Sequence, residues 1–205
     1  MCINANTSLS TFVFSIIGSL VLIFLGNKKY KKENLLFGIL FIYVALMQIL
    51  EYFMWIDLNG KKGTNKIATS LGPFFNYTQP TIVFLVKSLI FGKHNIFISL
   101  INLIYYIYVI IRYNTFLTSE KLITTVINNH LHWRWTDYFS FYFYSLIFTI
   151  NIFAFILFKY ALMIFLFIFG TLYVSSVYFK EHIGEFWCFF TAYIPILICV
   201  FTYIL

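Results

Sequence analysis

LLFGILFIYVALMQILEYFMW, running from Leu35 to Trp55, reads as a membrane span. A helix needs about 20 mostly apolar residues to cross a bilayer, and this stretch supplies them with a single formal charge, Glu51. The run before it, GNKKYKKEN from Gly26 to Asn34, is as polar as the span is apolar. A hydrophobic helix therefore starts abruptly after a lysine cluster and carries a carboxylate one turn from its far end. The whole chain has the same cast: 61% of its 205 residues are hydrophobic and 10% are charged, with a mean hydropathy of +0.88. Soluble domains carry about 25% charged residues, so the composition points to an integral membrane protein.

Similar stretches at 8–25, 67–91, 96–111, 138–158, 161–178 and 183–205 join 35–55 to predict an all-α integral membrane bundle of about seven transmembrane helices, one domain over 1–205. The span at 67–91 contains Pro73 and Pro80 and is expected to be kinked or broken, because proline removes an amide donor. Between the fourth and fifth spans, TSEKLITTVINNHLHWRW spaces Leu122, Ile123, Val126, Ile127 and Leu131 at helical intervals, behind Thr118 or Ser119 as a cap. That spacing predicts an interfacial helix over about 119–133, with an ordinary surface loop as the alternative. It sets Trp133 and Trp135 at the headgroup level, where amphipathic rings are favoured.

Lys28, Lys29, Lys31 and Lys32 flank two spans and should be retained on the cytoplasmic side. That puts the N-terminus outside and, after seven spans, the C-terminus in the cytoplasm. No basic segment precedes the first apolar stretch and no small-residue cleavage site follows it, so it reads as a retained span. The net charge of +7 sits largely in membrane-flanking lysines, which fits anionic lipid headgroups and not nucleic acid. Cys2, Cys188 and Cys199 give no disulfide framework.

Ionisable groups at membrane depth cost several kcal/mol and are expected to face the bundle interior or a water-filled cavity. Gln48, Glu51 and Trp55 form one stripe of the second span, able to hold a polar or cationic group between amide, carboxylate and indole face. Asn76 and Gln79 lie three apart, just before Pro80. His182 and Glu185 open the last span at a depth comparable to Glu51. Together these predict one outward-opening polar pocket of Gln48, Glu51, Trp55, Asn76, Gln79 and Glu185, with His182 beside it. Hydrogen bonding between helices is the competing reading for Gln48, Asn76 and Gln79. Lys87 is expected to snorkel toward the cytoplasmic headgroups.

Known seven-span chemistries fit poorly. No lysine follows Lys180 to hold retinal, no TVGYG filter is present, and no His-x-x-x-His or His-Glu-x-x-His spacing suggests zinc. No cofactor is implied. MQILEYFMW (Met47 to Trp55), TQP (Thr78 to Pro80) and EFWCFF (Glu185 to Phe190) together resemble an uncharacterised family of multi-pass membrane proteins from giant viruses and some algae. The resemblance covers three of the seven spans and implies a viral or algal source. It also implies that Gln48, Glu51, Trp55, Gln79, Pro80, Trp187 and Cys188 belong to a recurring pattern. The family brings no established activity. The residues themselves suggest binding or transport of a small polar or cationic solute, with an intramembrane enzyme using a carboxylate pair and a structural viral membrane protein as alternatives.

Overall fold

The structure is a computed structural model and describes residues 4–92, 95–118, 122–133, 135, 138–154, 158–178 and 183–204. The architecture is all-α apart from one small hairpin. Helix α1 (Ala5–Leu25) is capped by Asn4, whose side chain accepts from the Thr7 amide at 2.9 Å. Its buried face is a row of small residues, Ser8, Thr11, Ser15, Gly18 and Ser19. Helices in lipid have no hydrophobic drive toward one another and associate by close approach along such rows. The partner is α2 (Lys31–Trp55), entered through a 3-10 turn at Lys28–Tyr30. At Gly38 of α2 a Cβ would collide with the side chain of Ile23. The turn between the two helices is held by Asn27, which donates to the Thr202 carbonyl at 2.7 Å, and by Tyr203, which donates to the Leu25 carbonyl at 2.7 Å.

The third apolar stretch is interrupted at Thr78 into α3 (Thr64–Tyr77) and α4 (Gln79–Phe91). Pro80 is the second residue of α4, where its missing N–H costs nothing; Pro73 sits inside α3 without ending it. Gly92 stops α4 in the left-handed region at φ 62°. Helix α5 (Ile96–Leu117) continues past the expected boundary at 111, and α6 (Tyr138–Phe153) and α7 (Phe158–Tyr178) follow. The last stretch is also divided, into α8 (Ile183–Thr191) and α9 (Ile194–Phe201), again with proline, Pro195, as second residue of the later helix.

Helix α2 is the hub and touches α1, α3, α4, α8 and α9. The outward faces are largely apolar: α5 buries Asn102, Tyr105 and Val109 and exposes Phe97, Leu103 and Ile104. That pattern is compatible with a lipid surround. Among the described residues four helices, α1, α2 with its preceding turn, α5 and α7, are long and apolar enough to cross a membrane.

The expected interfacial helix over 119–133 is not formed where the chain is described. Residues 125–132 make a hairpin, β1 (Thr125–Ile127) antiparallel to β2 (His130–His132), with Val126 opposite Leu131. Two local features override the helical spacing. Thr124, Thr125, Val126 and Ile127 are β-branched and favour strand. Asn128 and Asn129 both take positive φ, 51° and 64°, the geometry of a two-residue type I′ turn, which asparagine tolerates. Trp133 and Trp135 are not at an exposed headgroup level either; they are stacked at 5.1 Å and buried, 1% and 4% exposed.

Thr124 fixes the root of this hairpin. Its amide donates to Asn65 Oδ1 (2.9 Å) and Thr69 Oγ1 (3.1 Å), while Asn65 Nδ2 donates to the Thr124 carbonyl (3.0 Å) and to the Met54 carbonyl (3.2 Å). The Asn65 amide in turn donates to Asp57 Oδ2 at 3.2 Å. Asp57 also accepts from the Lys62 amide at 3.0 Å and the Thr64 hydroxyl at 3.3 Å. These donors, Lys62 foremost, hold the Asp57 carboxyl below its ordinary value of 3.8. With the folded value lowered, the carboxylate contributes stability above the unfolded chain's value and loses it as pH falls through the folded one. Asp57→Asn should therefore lower the thermal unfolding midpoint at neutral pH, with the gap to the parent closing as pH drops below 3.8. A gap independent of pH would mean that the charge contributes nothing.

Candidate functional site

Two contacts set the register of α2 against the antiparallel α3. Tyr43 meets Thr78 hydroxyl to hydroxyl at 2.6 Å, and Asn65 donates to the Met54 carbonyl. Partners thus run in opposite directions along the two helices, which places Glu51 near the level of Thr69 and Gln48 near that of Gly72. Met47, Glu51 and Met54, spaced at helical intervals, are each 0% exposed, so the carboxylate sits on the most enclosed face of α2, between two methionines. Gln48 is 1% exposed, and among the described residues neither its amide oxygen nor its amide nitrogen has a hydrogen-bond partner. Trp55 is half-buried, and its indole N–H is likewise unmatched. The stripe expected from the sequence is present, and its two neutral members have hydrogen-bonding capacity to spare.

Gln79 belongs elsewhere. At 1.5 Å per residue, the level of Thr69 lies roughly 15 Å along the bundle from Gln79, and Gln79 turns to α6, where its Oε1 accepts from the Tyr144 hydroxyl at 2.6 Å. The whole α3/α4 interruption is met in this way by side chains of other helices. Tyr105 donates to the Tyr77 carbonyl at 2.8 Å, Tyr43 contacts Thr78, and Asn151 donates to the Pro80 carbonyl at 2.9 Å. Asn151 and Asn102 exchange amide hydrogen bonds of 2.8 and 2.9 Å between α6 and α5. An interrupted helix in a nonpolar surround must have its backbone groups satisfied internally, and this set of tyrosines and asparagines does it. Asn76, just before the break, is buried at 8% exposure.

The single six-residue pocket is accordingly not assembled among the described residues: Gln48, Glu51 and Trp55 form one group, Gln79 serves the helix break, and the side chain of Glu185, like His182, lies outside the described residues. Trp187 of the Trp-Cys pair packs edge-on against Tyr144 at 5.8 Å and donates to the Ile168 carbonyl at 3.3 Å, a packing role. Lys87 does not reach outward to snorkel; it is 1% exposed within the bundle, its Nζ 5.8 Å from the Phe84 ring centre. Tyr105, Tyr144, Asn102 and Asn151 escaped the sequence reading. Asn102 and Asn151 had a usable signal, as lone amides in otherwise apolar spans that need a partner.

A surface cleft of about 420 Å³ is lined by Asn4, Asn6, Thr7, Ser10, Thr11, Phe14 and Tyr193, and holds none of the expected site residues. Among the described residues no three of His, Cys, Asp and Glu stand together as metal ligands. Comparison with family models, with curated proteins and with solved structures finds no match to this chain.

Proposed function

We propose that the protein is a multi-pass membrane protein that binds, and carries across the bilayer, a small polar or cationic solute at Gln48, Glu51 and Trp55. The observation that carries this is Gln48. A buried amide with neither atom matched costs about 1–3 kcal/mol, and a leucine or methionine at the same place would avoid the cost. Setting such an amide one turn from a buried carboxylate makes sense where a solute with its own donors and acceptors completes the amide beside the carboxylate. The two proline-started half-helices, α4 and α9, add support, since carriers of small solutes commonly use discontinuous helices.

Seven crossings complete the proposal: α1, α2, α5, α6 and α7 each cross once, and α3 with α4 and α8 with α9 make two interrupted crossings. The lysines at 28, 29, 31 and 32 would meet anionic headgroups on the cytoplasmic face, leaving the N-terminus outside. The resemblance to giant-viral and algal multi-pass proteins is part of the same proposal, because the residues that carry it include Gln48, Glu51 and Trp55. An experimental density map of the protein in lipid nanodiscs tests the site. Non-protein density within hydrogen-bonding distance of the Gln48 amide is the expected result. An amide turned onto a protein group, with no density beside it, would remove the main support.

A further inference from the structure

Helices α1 and α9 run side by side in the same direction. Gly18 of α1 lies against Pro195 and Ile196, where a Cβ would come within 3.0 Å of the Ile196 side chain, and beyond it Asn27 and Tyr203 tie the two helices together. Phe14, one turn before Gly18, meets Tyr193 with ring centres 4.8 Å apart. Tyr193 stands in the break between α8 and α9. There the partnership ends, because α1 packs along α9 and hardly at all on α8. The cleft of about 420 Å³ is the space so left, with Asn4, Asn6, Thr7, Ser10 and Thr11 lining it before the two rings.

Its size falls within the range of small-ligand pockets, and no acidic or basic residue lines it, although the chain carries a net charge of +7. The Asn4 side chain is fixed by the Thr7 amide and hydroxyl, which donate to its Oδ1 at 2.9 and 3.1 Å. Asn6 and Ser10 are exposed. Thr11 is the informative residue: it is 3% exposed, lines the cleft, and makes no side-chain hydrogen bond among the described residues. A helical hydroxyl in an apolar surround ordinarily turns back onto the carbonyl four residues earlier, as Thr115, Thr149 and Ser175 do. Thr11 instead keeps its hydroxyl for the cleft.

The lining also changes along the helix. Asn4 to Phe14 is ten residues, about 15 Å of helix, or half of the roughly 30 Å hydrocarbon layer. In the α1 crossing proposed above, the amides and hydroxyls therefore begin at the outer headgroup level and the two rings lie among the acyl chains. A phosphate headgroup finds no cation here, since Lys28, Lys29, Lys31 and Lys32 are beyond the opposite end of α1.

We propose that this cleft binds a lipid with an uncharged, hydroxylated headgroup, its hydroxyls on Asn6, Ser10 and Thr11 and its chain against Phe14 and Tyr193. The proposal rests on α1 crossing the bilayer from the outer face, and not on Gln48 or Glu51.

The test is native mass spectrometry of the full chain in lauryldimethylamine oxide, a detergent with no sugar headgroup. Glucosyl dioleoylglycerol should be retained at one per protein, with an apparent Kd at least tenfold below that of dioleoylphosphatidylglycerol, which has the same chains. Ser10→Trp, which fills the cleft from an exposed position, should weaken the glucosyl lipid at least tenfold. Thr11→Val, which removes one hydroxyl and little else, should weaken it at least threefold, whereas Asn114→Trp, exposed on α5, should leave it unchanged. Equal retention of the two lipids would overturn the proposal, and so would undiminished binding in both Ser10→Trp and Thr11→Val. Methyl glucoside binding as tightly as the lipid would also refute it, because the cleft would then take a free sugar and ignore the chain.

Discussion

Asn151→Ala should destabilise the protein by about 2–4 kcal/mol in reversible unfolding from mixed detergent micelles. The side chain makes three hydrogen bonds: it donates to the Pro80 carbonyl and to Asn102 Oδ1, and it accepts from Asn102 Nδ2. Interhelical hydrogen bonds in membranes average about 0.6 kcal/mol and reach about 1.7, so three together account for about 2. Removing Asn151, which is 0% exposed, also strands the Pro80 carbonyl and half of the Asn102 amide and leaves a cavity, and each buried unmatched group adds a cost of its own. The Asn102→Ala change made on top of Asn151→Ala should then cost much less than it does alone, a coupling of about 1–2 kcal/mol. Additive costs, or a loss below about 0.5 kcal/mol for Asn151→Ala, would show that the pair does not hold the interrupted helix.

The same pair illustrates how much of the fold could be read before the structure. The apolar runs marked the long helices, because a bilayer-spanning helix is specified by little more than length and hydrophobicity. Pro80 announced the break near its true place, while Pro73 gave a false signal: whether a proline ends a helix depends on whether neighbours satisfy the freed carbonyl, and that is a tertiary fact. The 119–133 segment failed for a local reason. Leucine, isoleucine and valine at helical spacing suggest an amphipathic face, whereas the Asn128–Asn129 turn and the β-branched run before it favour a hairpin. Burial of Trp133 and Trp135 was not legible at all, since the notch that receives Trp135 is made by Gly72, a glycine distant in sequence on α3.

The candidate site was legible in part. Gln48, Glu51 and Trp55 share a face by helical geometry alone, and the structure keeps them on one stripe of α2. What the sequence could not supply was the register between helices. Polar residues at similar estimated depths, Glu51 and Gln79, were grouped together, but the Tyr43–Thr78 contact sets them at different levels. Gln79 is instead committed to Tyr144, so a buried amide that looked like a ligand group is part of the scaffold. Gln48, chemically identical, has no such partner among the described residues, which is why the site contracts onto α2.

Glu51→Gln is the change with the largest expected effect on activity. Glutamine keeps the size of the side chain and removes its carboxylate, so packing between Met47 and Met54 should survive. Methylammonium is the simplest organic cation able to bridge a carboxylate and an amide, and it serves as the probe. In proteoliposomes of anionic lipid, the parent protein should take up methylammonium faster than protein-free vesicles. The Glu51→Gln protein should lose at least tenfold of that rate, while its thermal unfolding stays close to the parent's. Uptake by the parent no faster than by protein-free vesicles, or the same rate in the parent and Glu51→Gln, would contradict the assignment of Gln48 and Glu51 as a transport site.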